Sequence, residues 1–311
     1  MSLIYQIGGV FLATIAIFAL YQTIATRIDN RRYPPLGDLI DVGGYKLHLC
    51  FSGKGVPTVV LDAGLSGTSL GWTLVQSEVS KFASVCSYDR AGYAWSDESP
   101  YKRTSLDLAK ELHTLLHKAN IPGPYILVGH SFGGCNMLMF ADLYPDETLG
   151  VVLVDSVHED MMLEQTFAPS KIDWILSVLG IKRLRGSSSE IAQMFAPLSE
   201  RVRSMYIAQM NKTSYSRTVS REMQDLNESL HQLNRRKVHL QKKPLIVITA
   251  GKYADPHEKK KWMSHQKKLL LKSNHSKQII ADQSDHMINH HQPEVIVEAI
   301  REISSFVQCL N

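Results

Sequence analysis

The sequence predicts an α/β fold: a mostly parallel sheet flanked by helices, with a helical insertion late in the chain and a transmembrane helix at its N-terminus. Three observations predict it. Short apolar runs rich in β-branched residues, such as "TVVLDAG", "YILVGH", "GVVLVDS" and "PLIVITAG", alternate with helical stretches. Runs of this kind are strands buried on both faces of a parallel sheet. From about His158 to Gln241 the strand signals vanish and helical spacing takes over. Ser2 to Thr26 holds no charged side chain, and about 20 such residues cross a bilayer as a helix.

Taken in order, "LIYQIGGVFLATIAIFALYQTIA" (3–25) is the expected membrane anchor. A cleaved signal peptide is the competing reading, disfavoured by the length of the run, the lack of a basic start and the poor cleavage site at "TIA". Arg27, Arg31 and Arg32 follow it, opposed by Asp29, which by the positive-inside rule puts the body of the protein on the cytoplasmic side. "RRYPPLG" reads as a linker, because its prolines stop a helix. "LIDVGGYKLHLCFSG" reads as a hairpin turning at Gly43-Gly44. Strands follow at 58–64 and 84–90, then an amphipathic helix over 104–120 that opens on a Thr104 N-cap. Strand "YILVGH", a helix and strand 150–156 complete the first half of the sheet. After the insertion (157–241) come strand 244–251, a lysine-rich helix, strand 277–282 and a last helix over "PEVIVEAIREISSFVQ". One domain over 38–308 with an insertion explains this pattern better than two domains.

Composition excludes some partners. In 311 residues, 34 basic side chains face 30 acidic ones, and a net charge of +4 does not suggest nucleic acid. Cys50, Cys86, Cys135 and Cys309 are far apart and match no metal-ligand spacing; the first three lie in apolar stretches and read as reduced, buried thiols. No phosphate loop or metal cluster is visible, so no cofactor and no metal is expected.

The chemistry centres on "GHSFGG" (129–134). A serine between glycines, where a buried strand ends and a helix starts, fits the sharp turn called a nucleophile elbow. Ser131 is the expected nucleophile, and a hydroxyl needs a base to take its proton. His286 in "SDHMINHHQPE" follows the last strand and so emerges on the same sheet edge; His290 and His291 share its loop. Two aspartates qualify as the acid that orients the histidine. Asp155 ends strand 150–156 and would be held rigidly, which favours it. Asp255 lies in "TAGKYADP", four residues beyond Gly251. The backbone N–H groups of Phe132 and of Leu65, in the glycine loop "DAGLSGTS", are the expected donors to a developing oxyanion.

With these residues in place, the chain resembles the α/β-hydrolase fold family over roughly residues 38 to 308. The resemblance rests on "GHSFGG", "YDRAGYAWSD" (88–97) and "SDHMINHHQPEVIVEAI". It implies a Ser131–His286–acid triad, an acyl-enzyme, cleavage of a carboxylic ester or related acyl bond, and an insertion that acts as a lid. Relatives that open epoxides or haloalkanes use an aspartate nucleophile, which Ser131 disfavours. In one departure from the family, the usual His-Gly of the oxyanion loop reads Ala63-Gly64. An acyltransferase would use the same residues, and a non-catalytic binding or signalling protein can stand on the same scaffold. The expected partners are a small-molecule or lipid-like acyl substrate and a membrane. "WILSVLGIKRLR" in the insertion reads either as cover for the cleft with a basic edge at Lys182, Arg183 and Arg185, or as a segment that touches the membrane surface. Met161, Met162, Met194, Met205 and Met210 read as gap-fillers or as an adaptable acyl pocket.

Overall fold

A computed structural model describes residues 2–161, 171–186 and 189–308. Met162, Cys309 and the side chain of Arg185 lie outside the described residues, as does part of the insertion. Helix α1 spans Ser2–Arg32 and runs seven residues beyond the anchor expected at 3–25, because no proline or glycine interrupts "TRIDNRR". The linker therefore begins at Tyr33 rather than at Arg31.

Strands β1 (Asp38–Asp41) and β2 (Lys46–Ser52) form the expected antiparallel hairpin. The rest of the sheet comprises β3 (Thr58–Asp62), β4 (Ser84–Tyr88), β5 (Tyr125–His130), β6 (Thr148–Val154), β7 (Pro244–Ala250) and β8 (His275–Ala281). The eight strands lie in the order β1-β2-β4-β3-β5-β6-β7-β8, parallel from β4 to β8. Helices α2 (Thr73–Val79), α3 (Ser105–Lys118) and α4 (Phe132–Leu143) connect the first strands. Between β6 and β7 stand α5 (Lys171–Val178), α6 (Ile181–Arg185), α7 (Ser189–Met194), α8 (Glu200–Met210) and α9 (Thr213–Arg236). Helices α10 (Pro256–Leu269), α11 (Ile288–His291) and α12 (Pro293–Gln308) complete the described chain.

Strand residues alternate between two cores, as the pleat requires. Val60, Leu127, Leu153 and Val247 pack towards α3, α4 and the end of α9. Val59, Leu61, Val128 and Ile248 pack towards α2 and α12. Both faces are covered, so the strands read in sequence as unbroken apolar runs. Of the cysteines, Cys86 and Cys135 are buried free thiols, whereas Cys50 near the sheet edge is only half-buried. The charge-free part of α1 is the exception to this burial. Its most apolar window has a mean hydropathy of 2.1 and is fully exposed.

Leu127 is fully buried in the middle of β5. Leu127→Ala should lower the unfolding free energy by about 3 kcal/mol, through lost burial and the cavity left behind, as read from urea unfolding in detergent.

Candidate active site

The turn after β5 is tightly constrained. Ser131 has φ 53° and ψ −120°, in the region that disfavours side chains, and α4 starts at the next residue. Its glycine neighbours are dictated by space. A Cβ on Gly129 would lie 2.5 Å from the Gly133 backbone, and one on Gly133 would lie 2.5 Å from the Asp62 carbonyl oxygen. A Cβ on Gly134 would lie 2.1 Å from Ser156 Oγ. The strained turn is therefore packed so closely that only glycine fits around it. Phe132 opens α4, so its N–H has no acceptor within the helix.

Asp155 follows the end of β6, also at positive φ (44°), and its side chain is almost wholly buried. One carboxylate oxygen, Oδ2, lies 2.7 Å from His286 Nδ1. The other, Oδ1, accepts from the Ala250 N–H at 3.0 Å, the Trp262 indole N–H at 2.8 Å and the Tyr253 hydroxyl at 3.4 Å. Burial and the facing carboxylate push the Tyr253 phenol well above its ordinary pKa. Asp255 stands apart from this cluster: it caps α10, its carboxylate accepting from the His257 N–H at 2.8 Å. His290 and His291 also have other partners, His290 Nδ1 donating to the Met194 carbonyl and His291 Nδ1 lying 2.8 Å from Asp285.

His130, inside the elbow itself, ties the two halves of the site together. Its Nε2 donates to the His286 carbonyl at 2.8 Å. Burial, reinforced by the adjacent His286 ring, pushes the His130 imidazole down to about 3, so it is neutral at physiological pH. Burial likewise lowers His290, to about 4.

The glycine loop at 63–68 is held by side chains from several elements. The Arg90 guanidinium donates to the Ala63 and Gly64 carbonyls at 2.6 and 2.8 Å. The same group pairs with Asp62 and Glu222, each at 2.7 Å, and all three side chains are buried. Tyr93 donates to Glu222 and receives the Ser66 N–H; Tyr215 donates to the Ser66 carbonyl, and Tyr206 receives the Thr68 N–H. With these carbonyls turned towards Arg90, Leu65 is left beside the cavity. The run "YDRAGYAWSD" contained Arg90 without announcing its role, and no sequence pattern pointed to Glu222 or Tyr253. The one clue was a lone tryptophan in "EKKKWMSHQKK", a helix otherwise read as solvated.

A cavity of about 240 Å³ opens between these parts. Ser131, His286, Gly64 and Leu65 form its polar side, and Met194, Phe195, Met210, Tyr215 and Met287 its apolar side. Of the insertion methionines, Met194 and Met210 thus face the cavity while Met205 fills a buried core. A group able to hold a cation lies elsewhere. His113 and His117 on α3 meet Glu147, with ligand atoms within 4.8 Å of one another, and none of the three lines the cavity. The i, i+4 histidine pair was visible in "HTLLH"; its acidic partner, far along the chain, was not.

Residues 57–308 match the family model of the α/β hydrolase fold. The chain is 27% identical to the uncharacterized protein YqjL of Bacillus subtilis over 247 residues, 79% of this chain and 83% of that one. Among solved structures it is similar to the epoxide hydrolase CorEH (TM-score 0.67, 15% identity, 86% of this chain and 96% of that one). It is also similar to a thermophilic esterase from Thermogutta terrifontis (TM-score 0.58, 20% identity, 85% and 94%). Likenesses this distant establish the fold and leave the reaction to the site.

Two outcomes test this geometry. Arg90→Met should destabilise the protein by about 3–5 kcal/mol in chemical unfolding, since it strands two buried carboxylates. His130 has a folded pKa below its ordinary 6.5, so the unfolded chain binds the proton first. Its contribution is complete above about pH 6.5 and is lost as pH falls towards 3. His130→Gln, which keeps a donor for the His286 carbonyl, should flatten the fall in stability between about pH 6 and 4.

Proposed function

The chain belongs to the α/β hydrolase fold family, and on that premise we propose that it is a serine hydrolase cleaving a carboxylic ester or related acyl bond through an acyl-enzyme. The observation that carries the reading is the 2.7 Å contact between His286 Nδ1 and the buried Asp155 carboxylate, with His286 and Ser131 lining one cavity. Asp155 accepts the Nδ1 proton, which leaves Nε2 as the basic nitrogen. Ser131 Oγ attacks the acyl carbon and passes its proton to His286 Nε2. The carbonyl oxygen becomes an oxyanion facing the N–H groups of Phe132 and Leu65. Collapse expels the alcohol, which takes the proton from His286 and leaves the acyl group on Ser131. Water, deprotonated by His286, then attacks the ester; Ser131 recovers its proton and the carboxylic acid departs.

When His286 is protonated Asp155 faces its positive ring, and the three further donors to the carboxylate hold it in place while that charge comes and goes. A serine at the elbow separates this site from the aspartate-nucleophile relatives that share the fold. The helices over 157–241 act as the lid, with Met194, Phe195 and Met210 as the acyl-facing wall. α1 anchors the protein in a membrane by its exposed, charge-free run, and the positive-inside rule applied to Arg27, Arg31 and Arg32 supports a catalytic body on the cytoplasmic side.

A fluorophosphonate probe should label wild type, with no labelling of Ser131→Ala or His286→Ala. Asp155→Asn should lower kcat by about 10⁴-fold, the loss expected when the histidine takes the wrong tautomer. Asp255→Asn should leave turnover within about twofold and cost α10 at most about 1 kcal/mol as a weakened cap. A folded wild type that neither labels nor releases acid from an ester panel, in detergent or in vesicles, would refute the reading.

A further inference from the structure

We propose that the first turn of α5 sits in the headgroup layer of the membrane that α1 crosses, and that the Ser131 cavity takes lipophilic acyl substrates from that layer. This rests on reading α1 as an anchor and Ser131 as a nucleophile.

The argument starts on α1. Tyr5 and Tyr21 stand about 24 Å apart along the helix, at about 1.5 Å per residue, and both are exposed, at 71% and 38%. Tyrosines at two levels of an apolar helix mark the two faces of a bilayer. Beyond Tyr21 the helix changes character. Gln22 is buried and donates to the Asn211 carbonyl, and Asp29 pairs with Arg183. The charged half of α1 is therefore packed on the insertion, while the apolar half is bare.

That packing fixes the level of α5. Arg183 of α6 reaches both Gln22 and Asp29, so α6 runs beside the charged half of α1. α5 precedes it, and the two meet at Gly180, whose Cα is so close to Tyr21 and Gln22 that a Cβ would lie 3.1 Å from the Tyr21 ring. Val178 of α5 shares a cleft with Ala19 and Gln22. The C-terminal end of α5 thus lies level with Ala19–Gln22, beside Tyr21. Its inner side packs on α1 and α9. Its first turn leaves Ile172, Trp174 and Ile175 exposed at 71%, 45% and 46%. Asp173 in that turn is matched by Lys182 at 3.2 Å, so its charge does not oppose burial in headgroups. A tryptophan flanked by isoleucines, within about 6 Å along α5 of the end that meets α1, has the composition of an interfacial contact. The occupant is therefore the lipid surface already gathered around α1. The same insertion supplies Met194, Phe195 and Met210 to the apolar wall of the Ser131 cavity, so one structural unit touches both lipid and site.

The test uses the full chain in phosphatidylcholine vesicles whose acyl chains carry bromine near the headgroup. Vesicle flotation reports the anchor. Tryptophan quenching, compared between wild type and Trp174→Phe, reports α5. The expected result is flotation of both proteins, with bromine removing a larger share of emission from wild type than from Trp174→Phe. In a second arm, Ile172→Glu combined with Ile175→Glu should lower turnover of a long-chain ester dissolved in the vesicles and leave a short soluble ester unchanged. Equal quenching of the two floating proteins would overturn the α5 contact while the anchor stood. Shielding of Trp174 that follows protein density rather than bromination would assign the face to a second copy and overturn it as well. Failure to float would remove the anchor and this proposal together. Equal loss on both esters would overturn delivery from the bilayer, whereas absence of turnover and of fluorophosphonate labelling in wild type would strike the hydrolase reading instead.

Discussion

The Arg90 guanidinium is the point on which the site depends. It lies buried behind the glycine loop, pairs with both Asp62 and Glu222, and draws the Ala63 and Gly64 carbonyls towards itself. A lone buried cation would be prohibitively costly, and so would either carboxylate; together, with their hydrogen bonds filled, they are tolerated. Asp62 is held in turn by Asn136 of α4. One charge cluster therefore joins the end of β3, the helix that starts after Ser131 and the long helix α9 of the insertion.

This arrangement explains why the insertion is more than a cover. Tyr206 of α8 and Tyr215 of α9 bond the backbone of the glycine loop directly, and His290 bonds the carbonyl that ends α7. The donor loop and the histidine loop are each shaped by residues from another layer. Movement of α8 or α9 would be felt at the proposed oxyanion donors, because hydrogen bonds of fixed length transmit it. On the opposite side, α10 contributes Trp262 to the carboxylate of Asp155. A helix with five lysines in its first half and last turn thus carries one inward-facing polar group that bears on the site.

The sheet, its helices and the elbow were legible in the sequence because they follow from local pattern. Buried parallel strands read as apolar runs, "GHSFGG" has few other structural uses, and an uncharged run of this length forms a long exposed helix. Strand ends differed by a few residues, mostly because the buried Ala63, Asp89 and Asp155, and Gly251, follow the strands directly without joining the ladder. The end of α1 was misplaced for a related reason: prolines mark where a helix must have stopped, and it continued up to the tyrosine before them.

What the sequence determined by itself was the fold class, the position of Ser131 at a strand-to-helix turn and the presence of His286 on the same edge, since each follows from order along the chain and from strand polarity. It left Asp155 and Asp255 open, because both follow strands that end on that edge. Tertiary structure alone decided which carboxylate meets the histidine: β6 and β7 are neighbours, the chain at Asp155 turns inward beneath β7's end, and Asp255 is drawn off to cap α10. It alone also brought Arg90 to Glu222, 132 residues away, and Trp262 to Asp155. Contacts of that kind depend on distances in space between segments, and no local pattern of residues encodes them.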